Sequence, residues 1–314
     1  MKLHVGVKTD PIEYRFSFEW LFRLMAEEGI QHAQLGTFFE LYQLPDEFFV
    51  HLRRLAAHYQ VSISSVFTAH RELGGFLRPE AGWEGVARRS YERLIEVGAL
   101  VGAQNVGGNP GAIIRDQMGF KVEGVRRYLK HMRELMKYAY RLGVPCLTIE
   151  PMSCLAEPPT LPDEIRDMAE ELVAYHHRYP DQTACVGYLV DVAHGYADRQ
   201  GVVQWNNLQL LQAALPYLRT LHLKNTDSLF QSTFGFSAGE REQGIVQIGS
   251  IRDFLLAHAK SIPAKELVGY LEIGGPKTGR DYADHRLEGM LRESLRYLQE
   301  TFHSDDSSAG YEGD

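Results

Sequence analysis

Three cysteines in 314 residues are too few and too scattered for a disulfide framework. Cys146, Cys154 and Cys185 form no C-x-x-C pair, which argues against a zinc knuckle as well. Cys146 and Cys185 lie in or beside apolar runs and are expected to be buried core thiols. Long hydrophobic runs are missing too. No stretch of about 18 apolar residues occurs, so no membrane span or membrane partner is expected. The opening MKLHVGVKTD lacks the apolar core of a secretory signal, which makes the cytoplasm the expected location. Positive charge is also short: 33 Lys and Arg stand against 41 Asp and Glu, a net charge of −8. A chain with that balance repels a phosphate backbone, and the Lys and Arg residues fall on helical surfaces rather than in one patch, so no nucleic-acid partner is expected. Absent as well is a phosphate-binding glycine turn, since the first apolar run continues as VGVKTDP.

Present instead are short apolar runs alternating with segments of helical period. The strand candidates begin at His4–Val7, His32–Gly36, Val61–Val66 and Gln104–Gly108. They continue at Cys146–Glu150, Tyr188–Asp191, Thr220–Lys224 and Leu267–Glu272. Helices are expected between them: after Ser17 as N-cap with Gly29 as stop, from Pro45, from Trp83 to Val101, and through Val125 to Ala139. Further ones are expected from Pro162 to Tyr179, Trp205 to Tyr217, Ile251 to His258, and up to Phe302. Each parallel crossover needs a helix-sized connection, so eight such units of about 40 residues predict an α/β protein with a closed (β/α)8 TIM barrel. The rival, an open doubly wound sheet, would normally carry the glycine turn that is missing. One domain is expected over residues 1–303, with residues 304–314 (SDDSSAGYEGD) as a disordered acidic tail.

Residues at the C-terminal ends of barrel strands face the active site. In order, those ends are His70, Asn109, Glu150, Asp191, His222 and Glu272. A lone carboxylate after a strand is most often a helix cap or an ion-pair member. Four carboxylates or imidazoles at the corresponding position of four successive strands are harder to assign to caps, because Glu is a poor N-cap. Each ends an apolar run in which an uncompensated charge would be costly. Glu150, Asp191, His222 and Glu272 are therefore expected to hold one divalent metal ion. Three carboxylates and one imidazole suit Mn²⁺ best, with Mg²⁺, Co²⁺ or Zn²⁺ as alternatives.

The segments TIEP around Glu150, LVDVAH from Leu189, LHLKN from Leu221 and GYLEIGG from Gly269 resemble the xylose-isomerase-like sugar isomerase/epimerase barrels. Ketose 3-epimerases, hydroxypyruvate isomerase and inosose dehydratase belong to that group. The resemblance implies that Glu150 and Glu272 double as the acid/base pair on opposite faces of the substrate. It also implies that His194, of the D-x-x-H pattern, contacts a substrate oxygen. The implied reaction is proton abstraction next to a carbonyl through a metal-stabilised enediolate. The substrate expected is a small sugar or sugar phosphate. His70, Lys224 and Asn109 are further candidates for substrate contact. Where the 3-epimerases carry an arginine shortly after the metal histidine, this chain has Lys224, Asn225, Thr226 and Asp227. Isomerase, epimerase and keto-polyol dehydratase therefore all remain open, and Lys224 is equally an ion-pair candidate.

Two rivals come from other classes. An AP endonuclease would need a fourth-strand histidine and a D-x-H pair after the seventh strand, whereas Gly107-Gly108-Asn109 ends the fourth and no D-x-H follows Lys224 before Glu272. A non-catalytic sugar-binding barrel would have no reason to retain buried carboxylates. Residues 71–83 and 228–247 are expected as substrate-covering loops, with Arg71 and Arg241 as candidate anion contacts. A homo-oligomer paired through outer helices is compatible with the sequence.

Overall fold

The computed structural model describes residues 1–36, 38–68, 74–277 and 280–304. Its centre is a closed barrel of eight strands, every neighbouring pair parallel. The strands are β1 (Lys2–Lys8), β2 (His32–Leu35), β3 (Ser62–Thr68), β4 (Asn105–Gly108), β5 (Cys146–Ile149) and β6 (Cys185–Asp191). A two-stranded antiparallel insert, β7 (Tyr196–Ala197) and β8 (Val203–Trp205), precedes the last two barrel strands, β9 (Leu218–Leu223) and β10 (Glu266–Leu271). Pairing of β10 with β1 closes the ring, with Val7 opposite Leu271. Eight parallel strands joined through helices make this the (β/α)8 barrel expected from the alternation.

The helices lie between strands: α1 (Phe18–Glu27), α2 (Asp46–His58), α3 (Trp83–Val101), α4 (Lys121–Arg141) and α5 (Pro162–Arg178). They continue with α6 (Asn207–Ala214), α7 (Ala238–Gln243), α8 (Ile248–Ala257), the short α9 (Asp281–Asp284) and α10 (Leu287–His303). The longer helices each bury one stripe against the outside of the barrel. In α1 that stripe is Leu21, Phe22, Leu24 and Met25, and in α4 it includes Tyr128, Leu129, Met132, Met136 and Ala139. The termini follow local chemistry. The Ser17 hydroxyl accepts from Trp20 N at 3.1 Å, and Gly29, at φ +70°, lets Ile30 N–H return to Met25 O at 2.8 Å.

Some boundaries differ from those expected. Pro45 is the N-cap of α2 rather than its first residue. Trp205 belongs to β8, and α6 starts two residues later because Asn206 and Gln209 form a reciprocal capping box. The β7–β8 hairpin was not anticipated; its strands are too short for an alternation signal. It turns where Asp198 Oδ1 accepts from Gln200 N and Val202 N. Cys146 is buried as expected, but Cys185 is only partly so, and the two stand opposite each other on β5 and β6. The expected tail lies outside the described residues from 305 onward, while Ser304 closes α10 with its hydroxyl on Thr301 O at 3.0 Å. Among the described residues no helix is long and apolar enough to cross a membrane.

Candidate metal centre at the barrel mouth

Two register shifts in the barrel help to assemble the site. Between Tyr188 and Leu189 the β6–β9 pairing skips one residue of β9, so that Asp191 comes level with His222. Between Ala33 and Gln34 the β2–β3 pairing skips Ser64, so that Gln34 comes level with Ser65. Bulges of this kind re-aim side chains near functional sites.

Glu150 follows β5, Asp191 ends β6, His222 lies one residue before the end of β9, and Glu272 follows β10. Glu150, Asp191 and His222 are buried, and the Glu272 side chain retains a narrow exposure. One ligand atom from each of the four lies within 4.8 Å of the others. His222 Nδ1 is 3.0 Å from Glu150 Oε1 and 3.2 Å from Glu272 Oε2. Asp191 Oδ1 is engaged by Ala193 N at 2.8 Å. Its Oδ2 is buried within 2.5 Å of Lys224 Nζ and 3.4 Å of His194 Nε2 but accepts no well-directed hydrogen bond. A buried cluster of three carboxylates and an imidazole fits the donor set of a hard divalent cation.

Two lysines supply the opposing charge. Lys224 Nζ also lies 3.3 Å from His194 Nε2 and 3.6 Å from Glu272 Oε2. Lys8, which ends β1, pairs with Glu272 Oε1, reaches Asp10 Oδ2 at 2.6 Å and sits 4.6 Å above the centre of the Phe67 ring. Burial alone would lower both lysine pKa values, but the surrounding carboxylates outweigh it and hold both ammonium groups protonated. The same balance works in reverse on Glu272. Burial would raise its pKa, but His222, Lys8 and Lys224 together keep it ionised, well below the usual carboxylate range. For His222, burial pulls downward while the Glu272 charge and hydrogen bonds to Glu150 and Glu272 raise its pKa to about 9.

The remaining candidates divide. His194 joins the cluster: its Nδ1 is held by Pro151 O at 2.8 Å, which turns Nε2 toward Lys224 and Asp191. Lys224 is an ion-pair member of the same cluster. Asn109 is buried just beyond β4, and its side-chain oxygen has no hydrogen-bond partner among the described residues. His70 and Arg71 lie outside the described residues. Arg241 is placed elsewhere, stacked 4.3 Å above the Tyr297 ring. Phe236, within the expected covering loop 228–247, is fully buried against the same ring. Phe230 does stand near the site, packed so closely on Gly195 that a β-carbon there would lie 2.3 Å from its ring.

Lys8, Gln34 and Phe67 were missed in the sequence. The strand-end rule would have found Lys8, since VGVK ends β1 as LTIE ends the β5 segment. Gln34 and Phe67 lie within strands and carry no such positional signal.

Among solved structures, the chain superposes on a putative xylose isomerase from Rhodospirillum rubrum with a TM-score of 0.78 at 18% identity, over 95% of this chain and 98% of that one. The chain's structural neighbours are xylose-isomerase-like TIM-barrel proteins. D-psicose 3-epimerase from Clostridium cellulolyticum H10 matches with a TM-score of 0.70 at 15% identity, covering 97% of this chain and 100% of its own. The probable 3-DHS dehydratase AsbF from Bacillus anthracis matches at 0.66 and 13% identity, with 95% and 99% coverage. No protein-family model and no curated protein sequence matches the chain.

Proposed function

We propose that the protein is a divalent-metal-dependent sugar or sugar-phosphate isomerase/epimerase. The observation that carries this reading is the convergence of Glu150, Asp191, His222 and Glu272 from four successive barrel strands to within 4.8 Å. Those four residues would hold the ion, with Mn²⁺ the best match to their donor atoms. When bound, it supplies Lewis acidity that stabilises negative charge on oxygens of a hydroxy-carbonyl substrate.

The rest of the chemistry belongs to the side chains. Glu150 and Glu272 both lie beside His222 Nδ1, yet their surroundings differ. Glu272 is tied to Lys8 and Lys224, which favour its ionised form, whereas Glu150 meets the ring of His222 at Nδ1. In this reading one glutamate takes the proton from the carbon next to the carbonyl and the other returns a proton. Return to the opposite face gives an epimer, and return to the neighbouring carbon gives an isomer. His194 and Lys224 bind substrate oxygens, and Asn109 offers its buried side-chain oxygen to a substrate hydroxyl.

Loss of a β-hydroxyl after the same proton abstraction is the second reading. It is favoured by Lys224, a buried cation beside His194 that can assist departure of an oxygen, and by the fold shared with AsbF.

The test is hydrogen–deuterium exchange by NMR. Protein stripped of metal is given back Mn²⁺, Mg²⁺, Co²⁺ or Zn²⁺ and incubated in D₂O with ketoses, ketose phosphates and inososes, with Glu150→Gln alongside. Metal-dependent exchange next to the carbonyl, lost in the variant, is the expected result, and the product then separates the two readings. Uptake of a metal ion with no exchange in any substrate would overturn the isomerase reading.

A further inference from the structure

Gln34 sits in β2 with no solvent exposure, on the opposite side of His222 from the carboxylates. Its side-chain nitrogen donates to Ser65 Oγ at 3.0 Å, which fixes the direction of the amide. The oxygen end therefore faces His222 Nε2, 2.7 Å away. An amide oxygen only accepts, so this contact requires a hydrogen on Nε2. The other ring nitrogen, Nδ1, faces Glu150 and Glu272. Nδ1 donates to those carboxylates as well; a metal ion among them would take the place of that hydrogen, while the hydrogen on Nε2 stays with Gln34.

The sheet is built to allow this. If β2 and β3 kept their register past Ala33 and Ile63, Gln34 would stand opposite Ser64, whose hydroxyl is instead 2.8 Å from Tyr270 Oη. The one-residue shift brings Ser65 level with Gln34 and places Phe67 two residues further along the same strand. The Phe67 ring meets the His222 ring edge-on at 4.7 Å between centroids. The imidazole is thus fixed in plane by Gln34 and flanked by Phe67, while the second shift, in β6–β9, sets Asp191 beside it.

We propose that Gln34, oriented by Ser65 through this bulge, is a positioning residue that fixes His222 in its Nε2-protonated form and presents Nδ1 to the metal. The inference rests on the reading of His222 as a metal ligand and assigns a role to a residue outside the ligand set.

The experiment measures Mn²⁺ affinity by calorimetry for the full chain and for Gln34→Met, Gln34→Glu and Ser65→Ala. It is paired with ¹⁵N NMR of histidine-labelled, Zn²⁺-loaded protein. Gln34→Met keeps the approximate shape but removes the acceptor, and should weaken binding roughly 10–100-fold. Gln34→Glu keeps an acceptor and should restore affinity to within a few-fold of the wild type. Ser65→Ala frees the amide and should fall between them, so it carries the test if Gln34→Met does not fold. In the spectra, the wild type should show a protonated Nε2 and a metal-shifted Nδ1 for His222, and Gln34→Met should lose the single tautomer. If the wild type takes up one ion per chain and Gln34→Met matches its affinity and spectrum, the inference falls while the metal reading stands. If the wild type takes up no ion, both fall together.

Discussion

The two ends of the barrel interior are both polar, but they solve burial in different ways. At the N-terminal end His4, His32, Ser64 and Tyr270 meet through rings and hydroxyls, with the Glu266 carboxylate 3.6 Å from His4 Nε2. Tyr270 Oη and Ser64 Oγ are 2.8 Å apart, Ser64 Oγ is 3.4 Å from His32 Nδ1, and the His4 and His32 rings contact edge-on at 5.3 Å. Burial, followed by the neighbouring His4, lowers the pKa of His32, so that ring favours its neutral form. At the C-terminal end Glu150, Asp191 and Glu272 converge on one imidazole with Lys8 and Lys224 as counter-charges. Neutral pairs fill space at low electrostatic cost. Converging charges each carry a desolvation penalty of several kcal/mol, and replacing such groups with apolar ones is often neutral or stabilising. The difference separates a packing solution from a chemical one, and it locates the site without reference to any relative.

That contrast can be broken in graded steps. Glu150→Gln or Glu272→Gln should lower the rate of solvent deuterium exchange by about 10²–10⁴-fold, the usual contribution of a positioned acid or base. Tyr270→Phe, at the other end, should leave the rate unchanged, and NMR exchange run on all three checks the pair of outcomes. Lys8→Met should destabilise the fold by about 3 kcal/mol in urea titrations, because Asp10 and Glu272 lose a shared buried partner. Equal stability in Lys8→Met and wild type would mean that the mouth charges relax into water.

An effect of similar size should appear with pH in protein stripped by a chelator. His222 titrates near 9 when folded against an ordinary value of 6.5. Its protonation therefore stabilises the stripped fold fully below about pH 6.5, and that contribution is lost as pH rises through about 9. The thermal midpoint should decline over that window, and His222→Asn should flatten the decline. A wild-type midpoint no steeper than the variant's would count against the raised pKa. Smallest of all, Tyr270→Phe should cost about 1 kcal/mol, the typical net contribution of one hydrogen bond, measured by the same urea titration.

Most of the architecture was legible because barrel strands buried on both faces are written as apolar runs and their helices as 3.6-residue stripes. The four-residue cluster was legible for a related reason. A charge at the end of an apolar run is conspicuous, and Glu150, Asp191, His222 and Glu272 each occupy that place or the residue before it. Lys8 obeys the same rule, since it directly follows the apolar run His4–Val7. Gln34 could not have been found so, since its role depends on a one-residue shift between β2 and β3, and register is a property of pairs of strands. The proximity of Cys146 and Cys185 was hidden in the same way: distant in sequence, they become neighbours only once β5 and β6 align.

The loop after β9 holds a last consequence in Asn225. Its side-chain oxygen accepts from Val246 N at 2.9 Å, and its backbone exchanges hydrogen bonds with Phe234. Ile245 N–H returns to Thr226 O at 3.0 Å, and Gly244 lies so close that a β-carbon would sit 2.1 Å from the Asn225 side chain. The chain thus leaves the barrel and comes back to the same residue, like a purse drawn shut at its neck. The part between the paired Asn225 and Phe234, residues 227–233, can change length with little penalty to the barrel, because closure entropy grows only logarithmically with loop size. The sequence of this pouch can then diverge while the cluster of Glu150, Asp191, His222 and Glu272 stays as it is.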